Sequence, residues 1–426
     1  MATALLFFLA VILILIGVPI GMALGLGMLT TMLFFPITSL KFVAQSMFSG
    51  LQSLPLLAIP CFILAGSIMQ SGGISKRLIN VANKFVGNTI GGLGTVTIVS
   101  CLFFGAISGS SPATVAAIGA IMIPAMVKYG YHKEYATGLI AVSGGLGVIV
   151  PPSIPLVVYG VATNTSIGDL FLAGFGPAVV IALCLFAVSF VISKKRNYRG
   201  TDDKFSVKEL LKSIWDAKWA LIMPVIILGG IYGGVFTPTE AGVVACAYAV
   251  IIGFFVYREL TFKNLLKVLL DNTTFVGQMM LTFAPAAALG GVLAMLDVPN
   301  TLVNTLMAIS TNKIVILLLI NVALIFIGMI IDTTTAIIIL APILLTALRA
   351  YGVDPVHLGL IITVNLAIGF CTPPVAINLF VAHSISGIPV DRIARVAMPF
   401  IFALFAGLLI VTYLPQVSLG IFTLFK

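Results

Sequence analysis

The chain has 426 residues, of which 60% are hydrophobic and only 8% are charged. Soluble domains are roughly half apolar and a quarter charged, so this composition excludes a soluble globular protein and indicates that the lipid bilayer is the solvent. The formal net charge of +9 does not indicate nucleic-acid binding, because lysine and arginine lie in clusters between apolar segments and form no continuous stripe.

The chain begins with an apolar run from Thr3 to Leu40 that contains no charged residue, and we interpret it as one membrane span near residues 4–35. The run is too long, and too often interrupted by glycine and proline, for a cleaved signal peptide. Since about 20 apolar residues cross the hydrocarbon core, further spans are predicted near residues 52–70, 134–162, 176–193, 219–236, 240–257, 274–296, 357–386 and 397–420. Placing the basic clusters in the cytoplasm puts the N-terminus inside and the C-terminus outside.

Two other apolar stretches, residues 90–127 and 314–348, are longer than one span requires and predict helical hairpins. Each has a polar segment near its middle, Ser108 to Thr114 in the first and Asp332 to Thr335 in the second. Arms of about 18 residues reach roughly 27 Å, so length alone does not distinguish two complete spans from a re-entrant pair. Polar, irregular backbone lies at membrane depth only where protein or water covers it, which favours re-entrant hairpins.

A double proline interrupts the apolar run that follows each hairpin, Pro151-Pro152 in the first half and Pro373-Pro374 in the second. The two pairs are 373 − 151 = 222 residues apart, and the same offset relates Gly147 to Gly369. The topology makes the first broken span run outward and the second run inward, so the repeats are predicted to be inverted. Internal duplication with broken helices in matching places is the best sequence pointer to the binding site of a secondary transporter.

The double prolines also predict ion sites. Proline has no backbone N–H, so carbonyl groups one turn earlier lose their usual donors and become available to a small hard cation such as sodium. We predict two sodium sites, each between a hairpin tip and a helix break, with these residues: Ser108, Ser110, Ser111, Gly145, Val148 and Pro151 in the first, and Asp332, Thr333, Gly369, Thr372 and Pro373 in the second. The alternative is that the prolines only kink packed helices.

The hairpin tips are also the predicted substrate site, because helix N-termini favour anions such as a carboxylate. The predicted contacts are Ser110, Ser111, Ser153, Thr333, Thr334, Thr335, Pro152 and Pro374. Asp332 is the only acid deep in an apolar stretch, and an intramembrane carboxylate is by default functional as an ion ligand or proton carrier. The other interpretation is that it only satisfies the neighbouring threonines.

The paired hairpins, the two Gly-x-x-x-Pro-Pro breaks and the stretch from Phe236 to Gly242 (Phe-Thr-Pro-Thr-Glu-Ala-Gly) resemble the large membrane (M) subunit of tripartite ATP-independent periplasmic (TRAP) transporters. The resemblance covers nearly the whole chain. It implies an all-α polytopic membrane protein of the inverted-repeat elevator type, with two re-entrant helical hairpins and two broken helices. It further implies a multi-pass protein of the bacterial inner membrane that uses sodium as coupling ion, needs no other cofactor and is not an enzyme.

The partners implied by the resemblance are a small membrane (Q) subunit and a periplasmic substrate-binding (P) protein that delivers an organic acid, sialic acid being favoured over a C4-dicarboxylate. A stand-alone sodium-coupled dicarboxylate or citrate symporter is the alternative. A third alternative is an intramembrane enzyme acting through Asp332. No second intramembrane acid, histidine or metal cluster supports it. The cysteines and histidines are scattered without metal-binding or redox spacing.

The chain is accordingly divided into scaffold helices at 1–89, a first transport repeat at 90–170, scaffold helices at 171–312, a second transport repeat at 313–390 and a C-terminal scaffold helix at 391–426. A polar connector near residues 194–218 joins the two halves. Its later part, Val207 to Trp219, has apolar residues at helical spacing among lysines and predicts a separate amphipathic helix on the cytoplasmic membrane surface. Glu240 is expected to cap the helix that begins beside Pro238.

Overall fold

The computed structural model describes residues 1–200 and 206–425, and α-helices account for most of them, with short 3-10 and π turns between. Eight helices within these residues are long and apolar enough to cross a membrane by length and composition. The predicted all-α polytopic class is therefore confirmed. Residues 201–205 of the predicted connector lie outside the described residues.

The predicted first span is wrong, because residues 4–35 form two helices, α1 (Ala2–Leu15) and α2 (Ile20–Phe34). The turn between them contains Gly17, whose φ is +90°, and Pro19, which cannot donate a hydrogen bond to continue α1. The two helices pack together, since a Cβ on Gly27 would lie 3.2 Å from the Ala10 nitrogen. Helices of 14 and 15 residues are roughly 22 Å long, less than the core thickness of about 30 Å.

Four helical segments lead to the first hairpin: α3 (Leu40–Leu51), a 3-10 turn (Leu54–Leu57), α4 (Ala58–Ser71) and α5 (Ile74–Val86). The first repeat then comprises the two hairpin arms α6 (Gly92–Ser108) and α7 (Ser111–Lys128), followed by α8 (Lys133–Ser143), α9 (Leu146–Ile149) and α10 (Ile154–Thr163). The predicted span 134–162 is thus broken in the double-proline region, as expected.

The middle of the chain consists of α11 (Ile167–Lys195), α12 (Val207–Tyr232), α13 (Pro238–Ile251) with a π turn (Ile252–Val256), α14 (Phe262–Met295) and α15 (Val298–Ile309). The predicted separate surface helix at 207–219 is wrong, because α12 continues without interruption through both the amphipathic part and the next span. Nothing in this segment stops a helix, since its first interior proline, Pro224, lies well inside the apolar half. Glu240 caps α13 as predicted, in a reciprocal capping box with Thr237.

The second repeat has the same order: hairpin arms α16 (Lys313–Gly328) and α17 (Thr333–Arg349), then α18 (Pro355–Gly369) and α19 (Ile377–Ser386) on either side of the second break. The chain ends with α20 (Val390–Tyr413) and α21 (Pro415–Phe425). The predicted single span at 397–420 is therefore wrong, because α20 ends at Tyr413, two residues before Pro415.

The two repeats exchange contacts in the core. Helix α7 of the first repeat packs on α19 of the second, and α17 of the second packs on α10 of the first. The 222-residue offset maps the start of α7, Ser111, on to the start of α17, Thr333, so these two contacts are equivalent. In the same way α8 packs on α20, and α18 packs on α11. This exchange brings the two hairpin tips, which are far apart in sequence, to the same region of the molecule.

Candidate functional site

The tip of the first hairpin is a compact, hydrogen-bonded polar turn. Ser108 ends α6 and Gly109, with a φ of +59°, reverses the chain before Ser110. The Thr114 hydroxyl donates to the Ser110 carbonyl at 2.8 Å and lies 3.1 Å from the Ser108 hydroxyl. Ser108, Ser111 and Thr114 are buried. The tip is thus fixed by its own hydroxyl groups, which also supply the oxygens predicted for an ion.

The first helix break packs directly on this tip. A Cβ on Gly147 would lie 2.7 Å from the Ser110 carbonyl oxygen and 2.3 Å from the Thr114 hydroxyl, so only glycine permits this approach. The Ile154 N–H, just beyond the double proline, donates to the Gly109 carbonyl at 3.3 Å. Tip and break therefore form one unit.

Ser153 lies at the start of α10. Its hydroxyl accepts from the Leu156 N–H and donates to the Val148 carbonyl, and its side chain is buried. This residue, a predicted substrate contact, therefore holds the break together as a helix cap.

Asp332 forms the tip of the second hairpin and caps α17. One carboxylate oxygen accepts from the Thr334 N–H at 3.2 Å and the other from the Thr335 N–H at 3.1 Å. The hydroxyls of the same two threonines also donate to the carboxylate, at 2.6 to 2.9 Å. The negative charge lies at the positive end of the helix dipole, which stabilises both. The structural role that the sequence left as an alternative for Asp332 is present in full.

The second helix break repeats the close packing of the first. A Cβ on Gly369 would lie 2.4 Å from the backbone of Gly328, at the end of the hairpin arm α16. Beyond the prolines, the Val375 N–H donates to the Met329 carbonyl at 3.2 Å. The Thr372 hydroxyl donates to the Ile368 carbonyl within α18 at 2.8 Å.

The two breaks differ in their exposure. Pro151 and Pro152 are buried, and Pro151 contacts α11 where a Cβ on Gly174 would lie 2.9 Å from its ring. Pro373 and Pro374 are exposed. The repeats are thus equivalent in backbone plan and unequal in their surroundings.

A cavity of about 580 Å³ connects the two hairpin tips. Of the predicted site residues, the following line it: Ser108, Ser110, Ser111, Val148, Asp332, Thr333, Thr334 and Thr335. The remaining predicted residues lie behind this surface or outside it: Gly145, Pro151, Pro152, Ser153, Gly369, Thr372, Pro373 and Pro374. The structure therefore joins the two tips at one cavity, and the four prolines of the two double-proline breaks do not line it.

Five described helices begin at the cavity, since the first residues of α2, α7, α10, α17 and α19 line it. Among the residues that the structure describes, no lysine or arginine lines the cavity, and Asp271 and Asp332 are its charged side chains. The Asp332 carboxylate already occupies the start of α17, and the Ile154 and Leu156 N–H groups at the start of α10 already donate to the Gly109 carbonyl and the Ser153 hydroxyl. The starts of α2, α7 and α19 are therefore the places where an anion finds free N–H groups.

Sequence reasoning missed the wall that α14 contributes. Asn272, Phe275, Gln278 and Thr282 all line the cavity from this helix. Asn272 is buried, donates to the Val268 carbonyl at 2.7 Å and accepts from the Ser67 hydroxyl at 3.2 Å. The sequence signal for this wall is the pair of amide side chains, Asn272 and Gln278, near the start of the predicted span at 274–296.

Sequence reasoning also missed Asn378, a fully buried residue of α19 that holds the first hairpin tip. Its amide nitrogen donates to the Ser111 hydroxyl at 2.7 Å and to the Ala141 carbonyl at 2.9 Å. The Ser111 hydroxyl lies 3.0 Å from the Asn378 carbonyl oxygen. One residue of the second break therefore fixes a predicted ion ligand of the first repeat.

Comparison with known proteins gives a consistent family. A family model described as the tripartite ATP-independent periplasmic transporter, DctM component, matches residues 7–417. The isethionate TRAP transporter permease protein DctMQ of Oleidesulfovibrio alaskensis is 44% identical over 95% of this chain, which spans 64% of that longer protein.

Two further relatives match over nearly their whole length. The C4-dicarboxylate TRAP transporter large permease protein DctM of Pseudomonas aeruginosa is 40% identical, over 94% of this chain and 93% of the relative. The sialic acid large permease SiaM of Vibrio cholerae is 39% identical, over 95% and 94%. Among solved structures, the YdaH transporter of Alcanivorax borkumensis shares the fold with a TM-score of 0.64, 14% identity and 89% coverage of both chains.

Proposed function

Because this chain belongs to the DctM family of TRAP transporters, a family of inner-membrane multi-pass permeases and not of enzymes, we propose that it imports an organic acid by sodium-coupled secondary transport. The observation that carries this proposal is the shared cavity: two hairpin tips and the starts of five described helices line it, and no described lysine or arginine does. Such a site binds an anion through N–H groups and hydroxyls, and these groups also leave room for a coupling cation.

The substrate is proposed to be a small organic acid. The named relatives include permeases for isethionate, C4-dicarboxylates and sialic acid, and each of these substrates carries a carboxylate or a sulfonate. Sialic acid is the substrate that the resemblance favours, but the C4-dicarboxylate relative is equally similar to this chain and the isethionate relative is more similar. The cavity of about 580 Å³ is of the usual size for a small-molecule site.

Sodium is proposed to bind in each repeat between a hairpin tip and the adjacent break. The support is the close packing of Gly147 on the Ser110 carbonyl and of Gly369 on the Gly328 backbone. These contacts place carbonyl and hydroxyl oxygens, the ligands that a small hard cation requires, around the ends of interrupted helices. Asp332, whose two oxygens already accept hydrogen bonds, is proposed to add charge to the second site.

Movement is proposed to follow the elevator mechanism. Each hairpin is joined to its break by backbone contacts and the repeats are joined by Asn378, so these elements are suited to move as one body. Helices outside residues 90–170 and 313–390 then form the scaffold, with the N-terminus in the cytoplasm, the C-terminus in the periplasm and the hairpins re-entrant from opposite sides.

The proposed partners are a small membrane subunit, a periplasmic binding protein that delivers the substrate, and the bilayer. The name DctMQ of the isethionate relative supports the small subunit, because that relative is longer than this chain and its name combines both components.

The test is uptake by proteoliposomes that contain this chain and its small subunit, with an inward sodium gradient and with or without the periplasmic protein. Radiolabelled sialic acid, succinate and isethionate are compared. We expect uptake of one of them to require both sodium and the soluble protein. Sodium-driven uptake without that protein would identify a stand-alone symporter. An uptake rate that does not change with the sodium gradient would refute sodium coupling.

A pair of variants separates the ion site from general packing. Ser111→Ala removes a proposed ligand and is expected to raise the sodium concentration for half-maximal uptake. Ser100→Ala is the matched control, because Ser100 is a buried serine of the same hairpin whose hydroxyl has no hydrogen-bond partner. Equal sodium dependence of the two variants would contradict the assignment of Ser111.

A further inference from the structure

A second cavity, of about 540 Å³, lies away from the transport site, between α5, α12 and the segment that follows α13. It is lined by three basic residues, Lys76, Arg77 and Lys218, and by the acids Asp216 and Glu259. Both tryptophans of the chain, Trp215 and Trp219, also line it. A mixed polar and aromatic lining of this kind differs from the apolar surfaces that helices present to acyl chains.

Two of the five charges in this cavity neutralise each other. The Arg77 guanidinium donates to Glu259 at 2.6 Å and to the Gly73 carbonyl at 2.9 Å, and it stacks 3.7 Å above the Tyr257 ring. These three contacts fix the position of the Arg77 side chain. The remaining charges are Lys76, Lys218 and Asp216, which sum to +1, so the cavity is complementary to a group with a single negative charge.

The length of α12 gives the depth of the cavity. Its 26 residues extend roughly 39 Å, about 9 Å more than the hydrocarbon core. The excess corresponds to less than the first two turns, so Trp215 lies at the boundary with the headgroups. Lys218 and Trp219 lie about one turn further in, where the long lysine side chain still reaches the interface. Tryptophan is enriched at this depth, and the Lys218 ammonium lies 3.4 Å above the Trp215 ring.

Exposed apolar side chains on α12 face the lipid next to the cavity. Trp215, Ile222 and Val225 are 67%, 40% and 67% exposed, and their spacings of seven and three residues put them on one side of the helix. An acyl chain lies along such a ridge. The cavity mouth and the ridge together fit a molecule with a charged head and apolar tails better than they fit a free anion.

We propose that this cavity binds the headgroup of an anionic phospholipid with one phosphodiester charge and a hydroxylated headgroup, of the phosphatidylglycerol type. Lys76 and Lys218 contact the phosphate, and the Asp216 carboxylate accepts hydrogen bonds from the headgroup hydroxyls. Basic cavities between membrane helices are known to suit such headgroups. The bound lipid joins α5, which leads directly into the first hairpin, to α12.

The experiment uses the intrinsic fluorescence of the full chain, since both tryptophans lie at the proposed site. Purified protein in mixed micelles is titrated with acyl-brominated phosphatidylglycerol, phosphatidylethanolamine or phosphatidylcholine, and quenching by each lipid gives an apparent affinity. We expect phosphatidylglycerol to bind more tightly than the two zwitterionic lipids. Lys76→Gln with Lys218→Gln should reduce this preference by about fivefold per lysine.

The matched control is Lys263→Gln with Lys267→Gln, which removes two exposed lysines of α14 outside the cavity. This variant should keep the preference, because its two lysines do not line the cavity. A general attraction to negative lipids would instead weaken in both variants alike. Each affinity is divided by that of phosphatidylcholine in the same variant, so altered tryptophan fluorescence does not affect the comparison. An equal loss in both variants would overturn the proposal.

Two further arms identify the occupant. Inorganic phosphate at millimolar concentration should not relieve quenching by phosphatidylglycerol, and full relief would show that a soluble anion occupies the cavity. Phosphatidylethanolamine binding as tightly as phosphatidylglycerol would refute the charge complementarity. Thermal unfolding of the same samples should show stabilisation by phosphatidylglycerol that the Lys76 and Lys218 variant lacks.

Discussion

Replacing Gly369 by alanine tests whether the contact between hairpin and break carries the ion site. A Cβ at this position would lie 2.4 Å from the carbonyl group of Gly328. The obstacle is backbone, which cannot rotate away as a side chain does, and an ordinary contact needs at least 3.4 Å. The end of α16 must therefore shift by about 1 Å, since overpacked sites respond by displacement of the backbone.

The free energy of this displacement is about 1–3 kcal/mol, the usual range for overpacking. Up to about 1 kcal/mol is offset because alanine is a better helix former than glycine and Gly369 ends α18. The fold should therefore survive. Ion coordination is less tolerant than folding, because ligand oxygens must keep their distances to the cation. We expect the sodium concentration for half-maximal uptake to rise at least about tenfold, which corresponds to roughly 1.4 kcal/mol of lost sodium binding.

A graded series of variants provides the controls. Gly328→Ala is milder, because its Cβ would meet Leu366 at 3.1 and 3.3 Å on the same contact surface. Gly290→Ala lies in α14 with no atom within 4 Å of the new methyl group, so it should leave transport unchanged. Sodium-dependent uptake and thermal unfolding are measured for all three. If Gly369→Ala behaves like Gly290→Ala, the contact is irrelevant to ion binding and the reasoning is refuted.

Other contacts lead to further predictions. Asp332→Ala should lower the stability of the protein by about 1 kcal/mol, because α17 loses its cap. Asp332→Asn should keep the fold and impair only sodium-dependent uptake. Equal thermal unfolding of the Asp332→Ala variant and the unchanged protein would contradict the predicted loss of stability. Asn378→Ala should cost about 1–3 kcal/mol for each buried partner left without a donor and should weaken sodium binding, and unaltered sodium dependence would separate Asn378 from the ion site. Thr237→Val should lower the thermal stability, by loss of the capping box with Glu240, at unchanged sodium affinity.

The sequence predicted the hairpins and breaks because their signals are local. A polar tip in an apolar run and a double proline each act on the backbone where they occur, and both signals are present twice. The errors at 4–35 and 397–420 involve single prolines, Pro19 and Pro415, where one helix ends and the next begins. Membrane helices do accept interior prolines, as α11 and α20 do here, so a single proline does not decide between a kink and an end.

The composition of the site was less predictable than its backbone. The tips were identified from their own residues, but their meeting at one cavity depends on packing between α7 and α19 and between α10 and α17. Such contacts join residues that are distant in sequence, as the Asn378 and Ser111 pair shows. The wall formed by α14 was missed for the same reason, although Asn272 marked it with a buried amide.

The duplication explains why the two halves of the site share one backbone arrangement. The side chains that stabilise the two hairpin tips, however, differ between the repeats. At the 222-residue offset Asn378 corresponds to Leu156 and Ser111 to Thr333, so the amide that fixes the first tip has no counterpart at the second. The second tip is stabilised instead by its own Asp332. The first tip is thus tied to the opposite repeat while the second depends on local contacts. A ligand that orders Ser111 therefore also affects the second break through Asn378. Because such coupling between two sites is thermodynamically reciprocal, a ligand that binds at the second break affects the first tip to the same degree.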